Sequence, residues 1–218
     1  MKLIRKFTLL CLMALVYACG KGDSQETSYK YEAVFIGDSI TANWVKASKG
    51  HPEFFTSNNF LGMGYSGRTT ADLKKLFKVS VLDENPRQVV ILAGTNDIAQ
   101  NDGKYVSNEE ILENIAWMAT EATNNGIRVV LCSVTPSKGF SWSNSISHPE
   151  KIIVELNKLI KALAEEKGYG YADYHSALAT ADGALPSEYS SDGTHPNQTA
   201  YTIMEGIILP ILQSYSAK

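Results

Sequence analysis

The stretch Ala33-Val34-Phe35-Ile36-Gly37-Asp38-Ser39-Ile40-Thr41 holds four apolar residues, followed directly by a small, polar turn. A short apolar run bounded by turn residues is typical of a strand buried on both faces of a sheet. Four more runs along the chain have this character, at residues 59–61, 89–93, 128–134 and 169–173. The sequence therefore predicts five buried strands.

Amphipathic helical patterns separate these strands. Ser107 and Glu110 form a capping box in front of apolar residues at helical spacing. Similar periodicity covers residues 70–76, residues 152–163 and the stretch that follows Pro196. Because buried strands alternate with helices, we predict one parallel sheet covered on both faces, in a single three-layer α/β/α sandwich.

Composition excludes several classes of protein. The chain has 218 residues, of which 44% are hydrophobic and 20% are charged, which suits one globular domain with a sizeable core. A net charge of −3 argues against a nucleic-acid partner. Three cysteines cannot build a disulfide framework, and Cys132, in an apolar run, is expected to be a small buried hydrophobe. Nothing in the sequence specifies an oligomeric state.

The N-terminal segment is typical of an export signal. Residues 1–18 combine a positively charged start with an apolar run of signal-peptide length, too short to span a bilayer. Cleavage after Ala18 would remove three positive charges and leave 17 against 23 negative ones, a net charge of −6. The prediction is an exported protein, in the periplasm or at the cell surface.

The sequence Val16-Tyr17-Ala18-Cys19-Gly20 resembles the processing site of bacterial lipoproteins. We therefore expect Cys19 to be lipidated, residues 19–30 to form a tether, and residues 31–218 to form the folded domain. Several acyl chains on one cysteine would hold the protein at a membrane. The alternative is a general secretory signal that leaves Cys19 as a free thiol.

Polar segments follow the predicted strands, at residues 37–41, 64–68 and 94–97, and a fourth precedes the last helix, at residues 192–196. In open parallel sheets, ligands bind outside the carboxyl ends of the strands. We therefore expect these four segments to form one site.

These segments contain the groups of a serine hydrolase. Ser39 is the candidate nucleophile, His195 the base that takes its proton, and Asp192 the carboxylate that orients the imidazole. The backbone N–H groups of Ser39 and Gly67 and the side-chain amide of Asn96 could stabilise the oxyanion.

Each of these residues also has a structural interpretation. Ser39 could cap a helix, and Gly67, Asn96 and Asp192 could form ordinary turns. The sequence disfavours several other candidates: Ser66 and Ser191 as nucleophiles, and His51, His148 and His175 as bases. It also disfavours a metal site formed by Asp38, Asp97 and His195, since metal sites have denser ligand clusters.

Taken together, the segments resemble the SGNH hydrolases, also called the GDSL esterase/lipase family. The first block of the family is matched by Gly37-Asp38-Ser39-Ile40-Thr41, with isoleucine in place of leucine. Gly67 matches the glycine of the second block, and Asn96 matches the asparagine of the third block. Asp192 and His195 match the last block. The resemblance implies a flavodoxin-like fold with a five-stranded parallel sheet, no metal or cofactor, and hydrolysis of an acyl ester through an acyl-serine.

The substrate is less specified than the chemistry. Two long loops, residues 41–58 and 135–148, are expected to rim the site, and their aromatic residues could pack on substrate or belong to the core. We favour substrate contact only for Trp142. Arg68 could bind an anionic substrate or pair with a surface acid.

Export and the range of the family favour short acyl esters, chiefly acetyl esters, of carbohydrates or other small molecules. The alternatives are a thioesterase or lysophospholipase acting on longer chains, and a non-catalytic lipoprotein that binds carbohydrate. The complete set of Ser39, Asn96, Asp192 and His195 argues against the last of these.

Overall fold

Five parallel strands form the centre of the computed structural model, which describes residues 28–143 and 145–216. They are β1 (Ala33–Gly37), β2 (Phe60–Gly64), β3 (Gln88–Leu92), β4 (Arg128–Cys132) and β5 (Gly170–Ala172). Their order in the sheet is β2-β1-β3-β4-β5. This is the flavodoxin-like order, and it confirms the predicted fold.

Helices cover both faces of the sheet. They are α1 (Ser39–Trp44), α2 (Pro52–Ser57), α3 (Thr70–Ser80), α4 (Thr95–Ile98), α5 (Asn108–Asn124), α6 (Pro149–Lys167), α7 (Tyr174–Leu178) and α8 (Gln198–Ser216), with a 3-10 turn at Leu82–Glu84. Buried residues of α3, α5 and α6 pack on one face, and those of α1, α2, α7 and α8 pack on the other. The three layers of the prediction are present.

Burial on both faces explains why β1 is apolar throughout. Val34 and Ile36 belong to the core beneath α3, α5 and α6, whereas Ala33 and Phe35 belong to the core on the opposite face. Successive side chains of a strand point to opposite faces, so a strand covered twice must be apolar at every position.

The second strand is longer than predicted. It runs over Phe60–Gly64 rather than residues 59–61, and it contains two glycines, which weaken the sequence pattern of a strand. A Cβ at Gly64 would lie 2.0 Å from the backbone nitrogen of Ala42, and one at Gly62 would lie 2.3 Å from Val45 Cγ1. The glycines let β2 pass close to α1 and the residue that follows it.

The first predicted rim loop, residues 41–58, is largely helical and does not present aromatic rings to a site. Trp44, Phe54 and Phe55 are buried around Phe35, with the Phe35 and Trp44 ring centroids 5.7 Å apart. Phe140 of the second loop is also buried. These four rings are core residues, and Trp142 alone among the loop aromatics is exposed, at 44%.

The expectations for residues 1–18 and Cys19 lie outside the described residues. Only residues 28–30 of the predicted tether are described, and Lys30 donates its backbone N–H to Asn85. In the described ranges, no helix has the length and apolar character needed to cross a bilayer. Cys132 is buried as predicted, and burial raises the pKa of its thiol to about 12.

Candidate active site

The end of β1 places Ser39 at the first position of α1. The side chain of Asp38 caps the helix, because its Oδ1 accepts the Ile40 N–H at 2.8 Å. The cap is therefore Asp38 and not Ser39, which leaves the serine hydroxyl available for another partner. Burial raises the pKa of Asp38 to about 6, opposed by the hydrogen bond from Ile40.

The loop before α8 brings His195 to this serine. Ser39 Oγ lies 2.9 Å from His195 Nε2, although the two residues are 156 positions apart. On the other side of the ring, His195 Nδ1 lies 2.7 Å from Asp192 Oδ2. Since the carboxylate accepts from Nδ1–H, Nε2 is left free to take the serine proton.

Asp192 is held firmly in its place. Its Oδ1 accepts the backbone N–H groups of Thr194 at 2.9 Å and His195 at 2.8 Å, and the Ser190 hydroxyl at 3.0 Å. Burial alone would raise the pKa of Asp192, but the donors of His195 and Thr194 outweigh it and lower the pKa to about 2. The group that faces the imidazole is therefore a carboxylate anion.

Two further loops contribute the candidate oxyanion donors. Gly67 follows β2 and has φ of +78°, a conformation that favours glycine. Asn96 is the second residue of α4, directly after β3, and is buried. Its Nδ2 donates one hydrogen to the Arg68 carbonyl at 3.0 Å, and an amide nitrogen carries a second hydrogen for a substrate oxygen.

The two oxyanion loops are tied to each other by buried side chains. Asp97 accepts the backbone N–H of Thr70 at 2.9 Å and its hydroxyl at 2.6 Å. Thr69 Oγ1 donates to Asp102 at 3.0 Å. The sequence placed Asp97 in a disfavoured metal site, whereas the structure shows that it links the segments that carry Gly67 and Asn96.

Asn101 joins the same network. Its Nδ2 donates to Asn96 Oδ1 at 2.8 Å and to the Gly67 carbonyl at 3.2 Å, and its Oδ1 accepts the indole N–H of Trp142 at 2.8 Å. The Trp142 ring also lies beside the His195 ring, with centroids 5.6 Å apart. Sequence reasoning missed Asn101, and the only signal was an amide five positions after Asn96 in a strand-end segment.

A crevice of about 730 Å³ opens beside Ser39 and His195. The segment after α1, with Lys46 and Lys49, and the start of α8 both line it. Every lining residue except Pro196 has a polar side chain. Both lysines were missed from the sequence, because nothing in residues 46–49 marks them as part of a site.

The other serine and arginine candidates lie near the site. Ser66 and Ser191 line the crevice, but within the described ranges neither hydroxyl forms a hydrogen bond with His195. Arg68 lies 3.5 Å from Asp72 on α3, which corresponds to the surface-acid alternative.

The remaining histidines have other partners. His51 Nδ1 lies 2.9 Å from Glu205, and His148 Nδ1 lies 3.1 Å from Glu150. Glu150 is only two positions after His148, and sequence reasoning overlooked it. Burial lowers the pKa of His175. Among the residues that the structure describes, no three His, Cys, Asp or Glu side chains are placed to hold a metal ion.

The flavodoxin-like sheet and the match to a known family define the class of the protein: it is a carboxylic ester hydrolase with an α/β/α fold. Residues 35–203 match the model of the GDSL-like lipase/acylhydrolase family. The chain belongs to this family, and the resemblance to SGNH hydrolases is confirmed.

Solved structures agree with this assignment, and the chain is also similar to one curated lipoprotein. A GDSL-like lipase from Bacteroides thetaiotaomicron VPI-5482 is 36% identical, with a TM-score of 0.80 over 84% of this chain and 88% of that one. A chain from Bacteroides fragilis NCTC 9343 is 35% identical, with a TM-score of 0.81 over 87% and 92%. Lipoprotein YqeF of Bacillus subtilis (strain 168) is 31% identical over 146 residues, which are 61% of this chain and 58% of that relative's length.

Proposed function

We propose that the protein is a serine esterase that removes short acyl groups, chiefly acetyl, from polar alcohols such as carbohydrates. The observation that carries the proposal is the pair of contacts on the His195 ring, 2.9 Å to Ser39 Oγ and 2.7 Å to Asp192 Oδ2. A serine hydroxyl is a weak nucleophile until a neighbouring base takes its proton, and this geometry provides that base.

Acylation begins when Ser39 Oγ attacks the ester carbonyl carbon and His195 Nε2 takes the hydroxyl proton. The carbonyl oxygen becomes an oxyanion, for which the proposed donors are the N–H groups of Ser39 and Gly67 and the free amide hydrogen of Asn96. When the intermediate collapses, the bond to the alcohol oxygen breaks and His195 gives that oxygen its proton. The acyl group remains on Ser39.

Deacylation repeats these steps with water. His195 takes a proton from a water molecule as its oxygen attacks the acyl carbon, and the same donors stabilise the second oxyanion. Collapse breaks the bond to Ser39 Oγ, which recovers its proton from His195, and the carboxylic acid leaves. Asp192 stays ionised throughout and holds the Nδ1–H of the ring.

The polar crevice favours a polar alcohol over a long hydrocarbon chain. Hydroxyl, amide and ammonium groups line it, and such groups would lose hydration against an alkyl chain without gaining partners. The exposed face of Trp142, beside His195, is proposed to pack on the substrate, as aromatic rings do on sugars and acyl groups. Arg68 remains a second proposed contact at the rim.

The experiment compares acetyl and octanoyl esters of p-nitrophenol with wild type, Ser39→Ala, Ser66→Ala and Ser191→Ala. We expect faster turnover of the acetyl ester, and a loss of about 10³-fold or more for Ser39→Ala alone. A fluorophosphonate should label Ser39 in the wild type, as read by peptide mass spectrometry. Undiminished turnover by Ser39→Ala would refute the assignment of the nucleophile, and preference for octanoyl would favour the long-chain alternative.

Export and lipidation are part of the proposal. They rest on the signal-like residues 1–18, on Cys19, and on the lipoprotein relative YqeF. Metabolic labelling with a radioactive fatty acid should mark the wild type and not Cys19→Ser. Equal labelling of the two forms would exclude Cys19 as the acylated residue.

A further inference from the structure

Two lysines in the crevice have no ion-pair partner. Lys46 and Lys49 lie on the turn after α1 and line the crevice beside Ser39 and His195. Within residues 28–143 and 145–216, neither ammonium group forms an ion pair, whereas most of the other lysines there pair with acids, as Lys138 does with Asp182 at 2.7 Å. The chain as a whole carries a net charge of −3, so this pair is a local positive region on an acidic protein.

The start of α8 adds to this positive potential. This helix has 19 residues, and Gln198 and Thr199 in its first turn line the crevice. The N-terminus of a helix carries a partial positive charge. Among the residues that the structure describes, Asp192 is the only carboxylate that lines the crevice. Its two oxygens already accept from the His195 ring, two backbone N–H groups and the Ser190 hydroxyl.

The mechanism determines which part of the substrate occupies this crevice. His195 must protonate the departing alcohol oxygen, so the alcohol portion leaves on the side of the ring that faces open space. Ser39 and His195 line the crevice, whereas Gly67 and Asn96, which carry the other two proposed oxyanion donors, do not. The alcohol portion is therefore the part that meets Lys46 and Lys49.

We propose that the crevice binds an alcohol that carries an anionic group, so that the natural substrate is an acylated acidic sugar or a similar acidic hydroxy compound. This inference rests on the proposed esterase function and specifies its substrate class. Lys46 and Lys49 act as specificity determinants that attract the anion, and their contribution is realised in binding more than in the chemical step.

The test uses a matched pair of substrates, an O-acetylated methyl hexuronoside and the same sugar with its carboxylate converted to a carboxamide. The wild type should hydrolyse the acid with a kcat/KM about three- to tenfold above that of the amide, mainly through a lower KM, because exposed ion pairs contribute modestly. The preference should fall as the ionic strength rises.

In the double variant Lys46→Gln/Lys49→Gln, kcat/KM on the acid should fall to the value on the amide, so that the preference is lost. The control Lys158→Gln/Lys161→Gln removes the same charge from α6 and should keep the preference. If wild type cleaves p-nitrophenyl acetate but hydrolyses the two sugars equally, or hydrolyses neither, this inference is overturned and the esterase mechanism is not. An unchanged preference in the crevice variant does the same, whereas full activity of Ser39→Ala would overturn the esterase mechanism.

A second inference comes from Asn101, which touches both oxyanion loops. Its Nδ2 donates to Asn96 Oδ1 at 2.8 Å, which fixes the amide plane of Asn96 and leaves its Nδ2 for donation. A carbonyl oxygen that accepts a hydrogen bond also strengthens the donation by its own amide, since such chains polarise one another. The bond to the Gly67 carbonyl, at 3.2 Å, restrains the neighbouring loop at the same time.

We infer that Asn101 is a positioning residue for the oxyanion donors, acting through Asn96 and Gly67 without touching substrate. Asn101→Ala should lower kcat about tenfold on p-nitrophenyl acetate while KM stays within about twofold, since oxyanion stabilisation acts in the transition state. Asn101→Asp, which keeps the size, removes both donated hydrogen bonds and adds a negative charge that opposes the oxyanion, should lower kcat at least as much as Asn101→Ala. Trp142→Phe, which removes the indole N–H and part of the ring but leaves the bonds of Asn101 to Asn96 and Gly67, should lower kcat less.

A double-mutant cycle separates this role from a general effect on folding. In an Asn96→Ala background, Asn101→Ala should cause little further loss of kcat, because the donor it positions is gone. The same loss of kcat in both backgrounds would overturn the inference, as would an increase in KM with kcat unchanged.

Discussion

The carboxylate of Asp97 accepts both the backbone N–H and the hydroxyl of Thr70, at 2.9 and 2.6 Å, across 27 positions of sequence. This contact joins the segment after β2, which contains Gly67, to the segment after β3, which contains Asn96. Asn114 Nδ2 donates to the same Thr70 hydroxyl at 3.2 Å. The distance between the two candidate oxyanion donors is therefore set by residues that lie behind them in the core.

This buried carboxylate should leave a signature in the pH dependence of stability. Burial raises the pKa of Asp97 to about 6, and the hydrogen bonds from Thr70 only partly offset it. Its pKa in the folded state is above its value in the unfolded state, so its contribution to stability is full below about pH 4 and is lost as the pH rises through about 6. As the pH rises over that range, the unfolding free energy of wild type should therefore fall relative to that of Asp97→Asn.

Urea unfolding at pH 4, 5, 6 and 7 measures this difference. The charge of Asp97 also helps to raise the pKa of Asp38, so Asp97→Asn should lower that pKa. This second effect also favours the stability of Asp97→Asn over that of wild type as the pH rises. Parallel stability curves for wild type and Asp97→Asn would contradict the prediction.

Asp192→Asn should abolish most of the activity and leave the fold intact. The amide can present its N–H to the ring, which favours the tautomer with the proton on Nε2, so that His195 can no longer accept the Ser39 proton. We expect kcat on p-nitrophenyl acetate to fall about 10³- to 10⁴-fold.

Asp182→Asn is the matched control, because Asp182 is an exposed carboxylate whose pKa is also lowered to about 2, in its case by a hydrogen bond from Lys138. It should retain the wild-type rate. A loss of less than tenfold for Asp192→Asn would mean that the carboxylate does not orient the imidazole.

Asn96→Ala should lower kcat about 10²- to 10³-fold, the usual cost of removing one oxyanion donor. KM should change little, since the charge on the substrate oxygen develops only in the transition state. Steady-state kinetics on p-nitrophenyl acetate measure both, with Asn125→Ala, at the far end of α5, as a control that should match wild type. An unchanged kcat would remove Asn96 from the proposed oxyanion hole.

Gly64→Ala should destabilise the protein and disturb the nucleophile together. The added Cβ would lie 2.0 Å from the backbone nitrogen of Ala42 in α1, and a backbone atom cannot move aside without shifting the helix that begins with Ser39. We expect a loss of about 2 kcal/mol or more in unfolding free energy, at the upper part of the range for overpacking.

Gly206→Ala provides the opposite case. It lies within α8, where an added Cβ meets nothing within 4 Å, so it should stabilise the protein by about 0.5–1 kcal/mol. Thermal and urea unfolding measure the stability of both variants against wild type. Equal stability of Gly64→Ala and wild type would contradict the close packing of β2 on α1.

Much of the fold could be predicted because the apolar runs are short, buried on both faces and separated by helices. The strand centres and the ends of the long helices follow from this local pattern, as at Gly168, which ends α6 in the left-handed region. The second strand was predicted too short, since its glycines are required by contact with α1. The aromatic residues Trp44, Phe54 and Phe55 were left with two interpretations, because the sequence does not show which face of a segment meets the core.

The sequence by itself determined the alternation of strands and helices, the set of chemical groups at the strand ends, and the family to which they belong. Only the tertiary structure brought Ser39 within 2.9 Å of His195, tied Asp97 to Thr70, and placed Asn101 between Gly67 and Asn96. It also placed Lys46 and Lys49 in one crevice with the start of α8. The physical reason is that propensity and periodicity act over a few neighbouring residues, whereas these contacts join segments that meet only when the sheet assembles and the loops close over its edge.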